Sequence, residues 1–207
     1  MDSKTILDNL LDTTQKGNLD ACRHAICETA IWLERHPDEA YIRRQYLILV
    51  REKGLLEQQQ IAIAQMSLWL QDNLENCDSY VFTEYLKLIR NSGIPKEQCH
   101  EAIVQSSTWL SEHPNESYVL TQYLALVREK GKPEQSQEVI SKMTLWLEEH
   151  GTNCDSYVFC EYLKLINKEG TSQQQQTAIN QADIWFQKHP NDSYVRREYL
   201  KLMGKQR

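Results

Sequence analysis

At 207 residues, with 41% apolar and 25% charged side chains, the chain has the make-up of a globular protein long enough to bury a core. Its net charge of −6 excludes any global attraction to nucleic acid or anionic membrane. No apolar run approaches the roughly 18 residues of a membrane-spanning helix. Met1-Asp2-Ser3-Lys4 does not lead into a secretory signal, so a cytoplasmic location is expected.

Taken in order, Thr5 to Lys16 carries Ile6, Leu7, Leu10 and Leu11 and stops at Gly17, as a first helix would. Cys22 to Arg35 follows, with Trp32, and closes on His36-Pro37. The next stretch, Asp38 to Lys53, places Ile42, Tyr46, Leu49 and Val50 on one helical stripe. Leu56 to Leu70 is apolar over a wider arc (Ile61, Ala62, Ile63, Met66, Leu68, Trp69), which predicts burial between neighbours on two sides. The pattern then repeats. Tryptophans fall at 32, 69, 109, 146 and 185, and Tyr46, Tyr85, Tyr123, Tyr162 and Tyr199 follow 14 to 16 residues after each. We term the tyrosine-bearing helix of each unit A and the tryptophan-bearing helix B.

The strongest repeat is N-C-D-S-Y-V-F-T-E-Y-L-K-L-I at 76–89, which returns at 153–166 with Thr83 replaced by Cys160. The array predicts an all-α fold in one domain, with helix pairs at about 3–36, 38–75, 78–113, 115–150 and 155–189 and a closing helix at 191–204. Asp38, Asp78, Asn115, Asp155 and Asn191 or Asp192 are placed to cap A helices. Gly54, Gly93, Gly131 and Gly170 sit where a left-handed residue would end them. His36-Pro37, His113-Pro114 and His189-Pro190 end B helices, with the histidines as C-terminal caps. The glutamine runs 58–60 and 173–176 read as solvated first turns.

Six cysteines (22, 27, 77, 99, 154 and 160) contain no C-x-x-C pair and no zinc spacing. Cys77 and Cys154 occupy one repeat position and read as packing residues. No phosphate-cradling glycine loop, G-x-S-x-G, H-E-x-x-H or Cys/His nucleophile arrangement is present, and His24 and His100 stand alone. Glu84 and Glu161 read as solvated carboxylates at exposed positions. An enzyme is not expected, nor is a cofactor or a metal.

Ser117-Tyr118-Val119 to Gly131 followed by Pro133-Glu134-Gln135 to His150 resembles a tetratricopeptide repeat, and the resemblance covers nearly the whole chain. It implies a right-handed α-α superhelix of about eleven antiparallel-stacked helices. It also implies a concave groove, lined by one side of the A helices, that holds a partner's peptide. Two features depart from the family: a spacing of 37 to 40 residues against about 34, and Leu47, Leu86, Leu124, Leu163 and Leu200 where the family carries a small residue.

The A-helix side opposite the apolar stripe carries the candidate binding residues. In chain order its bases are Arg44, Arg51, Lys87, Arg90 and Arg128, then Lys164, Lys168, Arg197, Lys201 and Lys205. Against these ten stand Glu52 and Glu129, a local charge of +8 that leaves −14 for the remainder. Tyr41, Tyr80, Tyr118, Tyr157 and Tyr194 rim the same side. Arginine offers bidentate contacts to carboxylates and tyrosine a broad amphipathic surface, so this face is expected to bind an acidic peptide segment or C-terminal carboxylate. A protein-binding scaffold or adaptor is the function expected. Two alternatives stand beside it: a nucleic-acid-binding helical repeat, which the surrounding acidity opposes, and a stand-alone sensor array working with an NTPase or effector.

Overall fold

The computed structural model describes residues 2–205, without the side chains of residues 152 and 205. Among the described residues there are eleven α-helices and no strand. The chain divides into two compact units, Met1–Glu112 and His113–Arg207. The first holds α1 (Ser3–Lys16), α2 (Leu19–Arg35), α3 (Ala40–Lys53), α4 (Leu56–Asn73), α5 (Ser79–Asn91) and α6 (Lys96–Glu112). The second holds α7 (Ser117–Lys130), α8 (Pro133–His150), a 3-10 turn at Gly151–Asn153, α9 (Ser156–Glu169), α10 (Ser172–Lys188) and α11 (Ser193–Lys205). A helices pack side by side, α1 and α5 on α3 in the first unit and α7 and α11 on α9 in the second.

The core follows the stripes. Tyr46, Tyr85, Tyr123 and Tyr162 are buried, while Tyr199 on α11 is half-buried and donates its hydroxyl to Asp183 at 2.9 Å. Trp32, Trp109 and Trp185 are buried and Trp69 and Trp146 half-buried. Two residues after the rim tyrosine, α3, α5 and α9 each meet a tryptophan of a B helix. Phe82 lies 5.5 Å from Trp109 edge-on, Phe159 lies 5.0 Å from Trp185, and the Arg43 guanidinium sits 4.2 Å over Trp69. Arg43 is 6% exposed and keeps its charge company by donating to the Pro37 carbonyl at 2.8 Å. Leu47, Leu86, Leu124 and Leu163 are buried between neighbouring helices, but Leu200 is 60% exposed.

Helix ends obey finer rules than the sequence reading supposed. Gly54, Gly131 and Gly170 are extended, not left-handed, with φ of −70°, −65° and −74°. Glycine is needed there for space: a Cβ on Gly54 would lie 2.5 Å from the Val50 carbonyl oxygen. Gly93 lies two residues past the end of α5, and Ser92 holds the cap position instead. Asp78, Asp155 and Asp192 accept amide hydrogens from the first turns of α5, α9 and α11. Asp38 and Asn115 do not cap, because each sits in the turn after His-Pro and the helix begins two residues later. The capping position there belongs to Glu39 and Glu116, which make no side-chain cap bond. Of the histidines expected to cap, His36 does so with its side chain, Nδ1 lying 2.9 Å from the Trp32 carbonyl; His150, which was not among them, makes the same contact with Trp146 at 2.9 Å. Each ring also stacks on its tryptophan, as does that of His189 on Trp185.

The glutamine runs are structural, not simply solvated. Gln58 and Gln174 accept the amide hydrogens of Leu55 and Thr171 at the starts of α4 and α10. Their side-chain amides then reach the preceding B helix, Gln58 to the Arg23 carbonyl and Gln174 to Gln137. The wide apolar arc of α4 is likewise not covered on both sides: Ile61 and Leu68 are 47% and 66% exposed.

Candidate functional site

The site face is built by adjacent A helices. An aspartate cap starts α5, α9 and α11, and the second helical residue, tyrosine in every A helix from α3 onward, points out of the first turn. Tyr41, Tyr80, Tyr118, Tyr157 and Tyr194 are between 48% and 62% exposed. In the first unit the Arg44 guanidinium lies 4.9 Å over the Tyr80 ring. In the second, the Tyr157 and Tyr194 rings are 5.3 Å apart, and the hydrogen bond that the Tyr157 hydroxyl donates to Tyr194 raises the Tyr157 pKa.

Deeper on this face the bases do not stand alone. Glu84, 5% exposed, binds Arg51 of α3 at 3.2 Å and Lys87 at 2.7 Å. Glu161 repeats the arrangement with Arg128 of α7 at 3.2 Å and Lys164 at 2.5 Å. Glu198, 2% exposed, pairs with Arg197 at 2.9 Å and Lys201 at 3.0 Å. Burial alone would raise the Glu198 pKa, but hydrogen bonds from Lys201 and Arg197 outweigh it and hold the carboxyl below its usual range. Lys168 donates to the Arg128 carbonyl at 2.6 Å, tying α9 to α7.

The expectation that Glu84 and Glu161 are solvated is therefore overturned. Each is the anionic hub of an ion cluster that links one A helix to the next, and with Glu198 they lower the excess charge of the face. The residues were missed because the face was read through its bases. The signal was present: the fourth residue after the rim tyrosine reads Gln45, Glu84, Gln122, Glu161, Glu198, and each glutamate has lysine three residues on.

Of the predicted site residues, the structure brings Arg44 onto Tyr80 and joins Arg51 to Lys87 through Glu84 in the first unit, with Tyr41 on α3 and Arg90 on α5. In the second it joins Arg128, Lys164 and Lys168, and it sets Tyr157 beside Tyr194 and Arg197 beside Lys201. Tyr118 lies on α7 with Arg128, and the side chain of Lys205 falls outside the described residues. Six of the bases are half-buried; Lys168, Arg197 and Lys201 are exposed. Among the described residues no three His, Cys, Asp or Glu side chains could hold a metal ion, and no helix is long and apolar enough to cross a membrane. No family model, curated protein or solved structure matches the chain.

Proposed function

We propose that the protein is a non-enzymatic, tetratricopeptide-like scaffold of the cytoplasm that holds an acidic segment of a partner protein on the tyrosine-rimmed side of its A helices. One observation carries this reading. Each A helix from α3 to α11 spends its first turn on an exposed tyrosine, although tyrosines five residues on, from Tyr46 to Tyr162, are buried. A ring left about half exposed at five equivalent positions adds little to the core and supplies contact area at low entropic cost. Beside it, the Glu198 hub with Arg197 and Lys201 retains a net positive charge, while Glu52 and Glu129 pair with Arg51 and Arg128 and balance the other two hubs. The hubs fix the guanidinium of Arg51 or Arg128 between two helices, and an arginine so held has further N–H donors for an incoming carboxylate.

Titration with labelled acidic peptides and their charge-scrambled counterparts, at about 50 and 300 mM salt, tests the reading. Tighter binding of the acidic peptide, weakened by salt and by Tyr157→Ala with Tyr194→Ala, is the expected result. Indifference to peptide charge rejects it. A low-salt gel shift that retains single-stranded nucleic acid more tightly than the peptide would reject it in favour of nucleic-acid binding.

A further inference from the structure

The opposite surface of the first unit carries a second, chemically distinct arrangement. Position 61, 64 and 68 of α4 share one helical face at spacings of three and four residues, and there stand Ile61, Ala64 and Leu68, all exposed. On α2 the equivalent positions are His24, Cys27 and Ile31, and on α6 they are Glu101, Val104 and Thr108, so each flanking helix adds one large aliphatic to the crest of α4. Ile31, Leu68 and Val104 are 57%, 66% and 60% exposed. Side-chain clasps hold the three helices next to one another: Gln65 donates to Glu34, Ser67 to Glu101, and Gln105 to Ser67. The exposed aliphatics thus form a band that crosses α2, α4 and α6.

Acids bound this band on both edges. At the helix starts, and on the same faces, lie Asp20, Glu57 and Glu97; at the helix ends lie Glu34, Asp72 and Glu112. All six are exposed. The first row suits the positive ends of the helix dipoles, but the second sits at the negative ends, where a carboxylate weakens the helix. Helix stability does not account for that row. Together the three helices hold eight carboxylates against Arg23, Arg35 and Lys96, and α4 has no base at all. Arg35 lies beside Glu34, so the acidic edges are strongest at α4 and α6.

The second unit lacks this pattern. Leu145 of α8 and Ile184 of α10 keep the aliphatic before each tryptophan, at 62% and 55% exposure, but the rest of the crest is Ser141, Thr177 and Asn180. An apolar band between two acidic edges fits one kind of occupant by charge complementarity, an amphipathic helix with an aliphatic stripe and lysine or arginine along its flanks. We propose that the outer face of α2, α4 and α6 binds such a basic amphipathic helix of a partner protein. Neighbouring helices lie about 10 Å apart, so the band spans about 20 Å, the length of roughly 14 helical residues. Aliphatic anchors about seven residues apart fall on successive B helices.

The probe is a fluorescein-labelled helical peptide of about 18 residues, with leucine every seventh position and lysine on the flanks, read by anisotropy against a glutamate-flanked counterpart. The lysine peptide binds the 207-residue chain and the glutamate peptide does not. Ile31→Ser with Leu68→Ser and Val104→Ser weakens binding at least about tenfold, since each removes exposed apolar contact area without opening the core. Asp72→Asn with Glu112→Gln weakens it several-fold and flattens its salt dependence, while Leu145→Ser with Ile184→Ser changes it by less than about twofold. An unchanged helical circular dichroism melt shows that the variants remain folded. Equal binding of the two peptides, or indifference to the triple variant, overturns the proposal. So does sedimentation showing that wild-type protein self-associates through this face and the triple variant does not, which would make the occupant a second copy.

Discussion

Residues 76–89 and 153–166 present one sequence in two settings, in α5 of the first unit and α9 of the second. Thirteen of the fourteen positions are identical, and the structure repeats nearly everything they can encode locally. Asp78 and Asp155 both cap, Phe82 and Phe159 both bury against a tryptophan, and Glu84 and Glu161 both gather a lysine three residues on and an arginine from the preceding A helix. The differences lie in how well each polar group is satisfied. Arg128 donates through Nε to Glu161 Oε2 at 3.3 Å, whereas Arg51 Nε and Glu84 Oε2 are buried without a hydrogen bond. The Thr83 hydroxyl is buried with no partner, while Cys160 Sγ lies 3.8 Å from the Tyr194 carbonyl. A duplicated helix keeps its contacts to its own chain; the fit of its polar atoms is set by whichever helices it is given as neighbours.

The largest effect should test what the copies share. Phe82→Ala and Phe159→Ala remove rings that are 0% and 2% exposed, and each is expected to cost about 3–5 kcal/mol in urea unfolding. A difference between them of more than about 1 kcal/mol would show that the two cores are not equivalent despite their identical residues.

The glutamate hubs should separate the copies. Glu161→Ala leaves Lys164 without its partner and Arg128 with Glu129 alone, and is expected to cost about 2–3 kcal/mol, below the value for a fully buried pair because both bases are partly exposed. Glu84→Ala should cost less, about 1–2 kcal/mol, because the Arg51 contact is ionic in distance without the alignment of a hydrogen bond. The reverse order would mean that burial of Glu84, not bonding geometry, controls the hub.

These hubs also mark what the sequence could and could not disclose. The helices were legible because apolar periodicity is a local property, repeated five times with tryptophan and tyrosine as markers. The rim tyrosines were legible for the same reason, since their exposure follows from standing opposite the stripe. Pairing across helices was not, because Arg51 and Glu84 are 33 residues apart and meet only once α3 and α5 lie side by side. A wide apolar arc on α4 was read as two buried sides, yet Leu68 is exposed: hydrophobicity alone does not say that a neighbour is present to cover it.

The single substitution between the copies predicts a smaller exchange. Thr83→Cys removes an orphaned hydroxyl and should stabilise the protein by about 0.5–1 kcal/mol, while Cys160→Thr should destabilise it by about 1 kcal/mol. Destabilisation by both substitutions would mean that the fit of each side chain to its own surroundings, not hydrogen bonding, decides the site.

Capping supplies the finest comparison, between repeats that start alike and repeats that do not. In α5 and α9 the residue before the first helical serine is aspartate, whose short carboxylate reaches the amides of the first turn: Asp78 accepts from Tyr80 at 2.9 Å and Asp155 from Tyr157 at 2.7 Å. In α3 and α7 the same position is Glu39 or Glu116, one methylene longer, and no cap bond forms. Asp78→Ala and Asp155→Ala should each cost about 1 kcal/mol, and Asp38→Ala and Asn115→Ala close to nothing. The converse carries more information. Glu39→Asp and Glu116→Asp place the shorter carboxylate at the vacant caps and should each stabilise by about 0.5–1 kcal/mol, read as an upward shift of the thermal midpoint. Of the two, Glu116→Asp is the cleaner measurement, because Glu39 also accepts a hydrogen bond from Ser3 of α1 at 2.8 Å and loses it on shortening. If Glu116→Asp gains nothing, the turn after His-Pro, and not the length of the side chain, is what leaves these two helices uncapped.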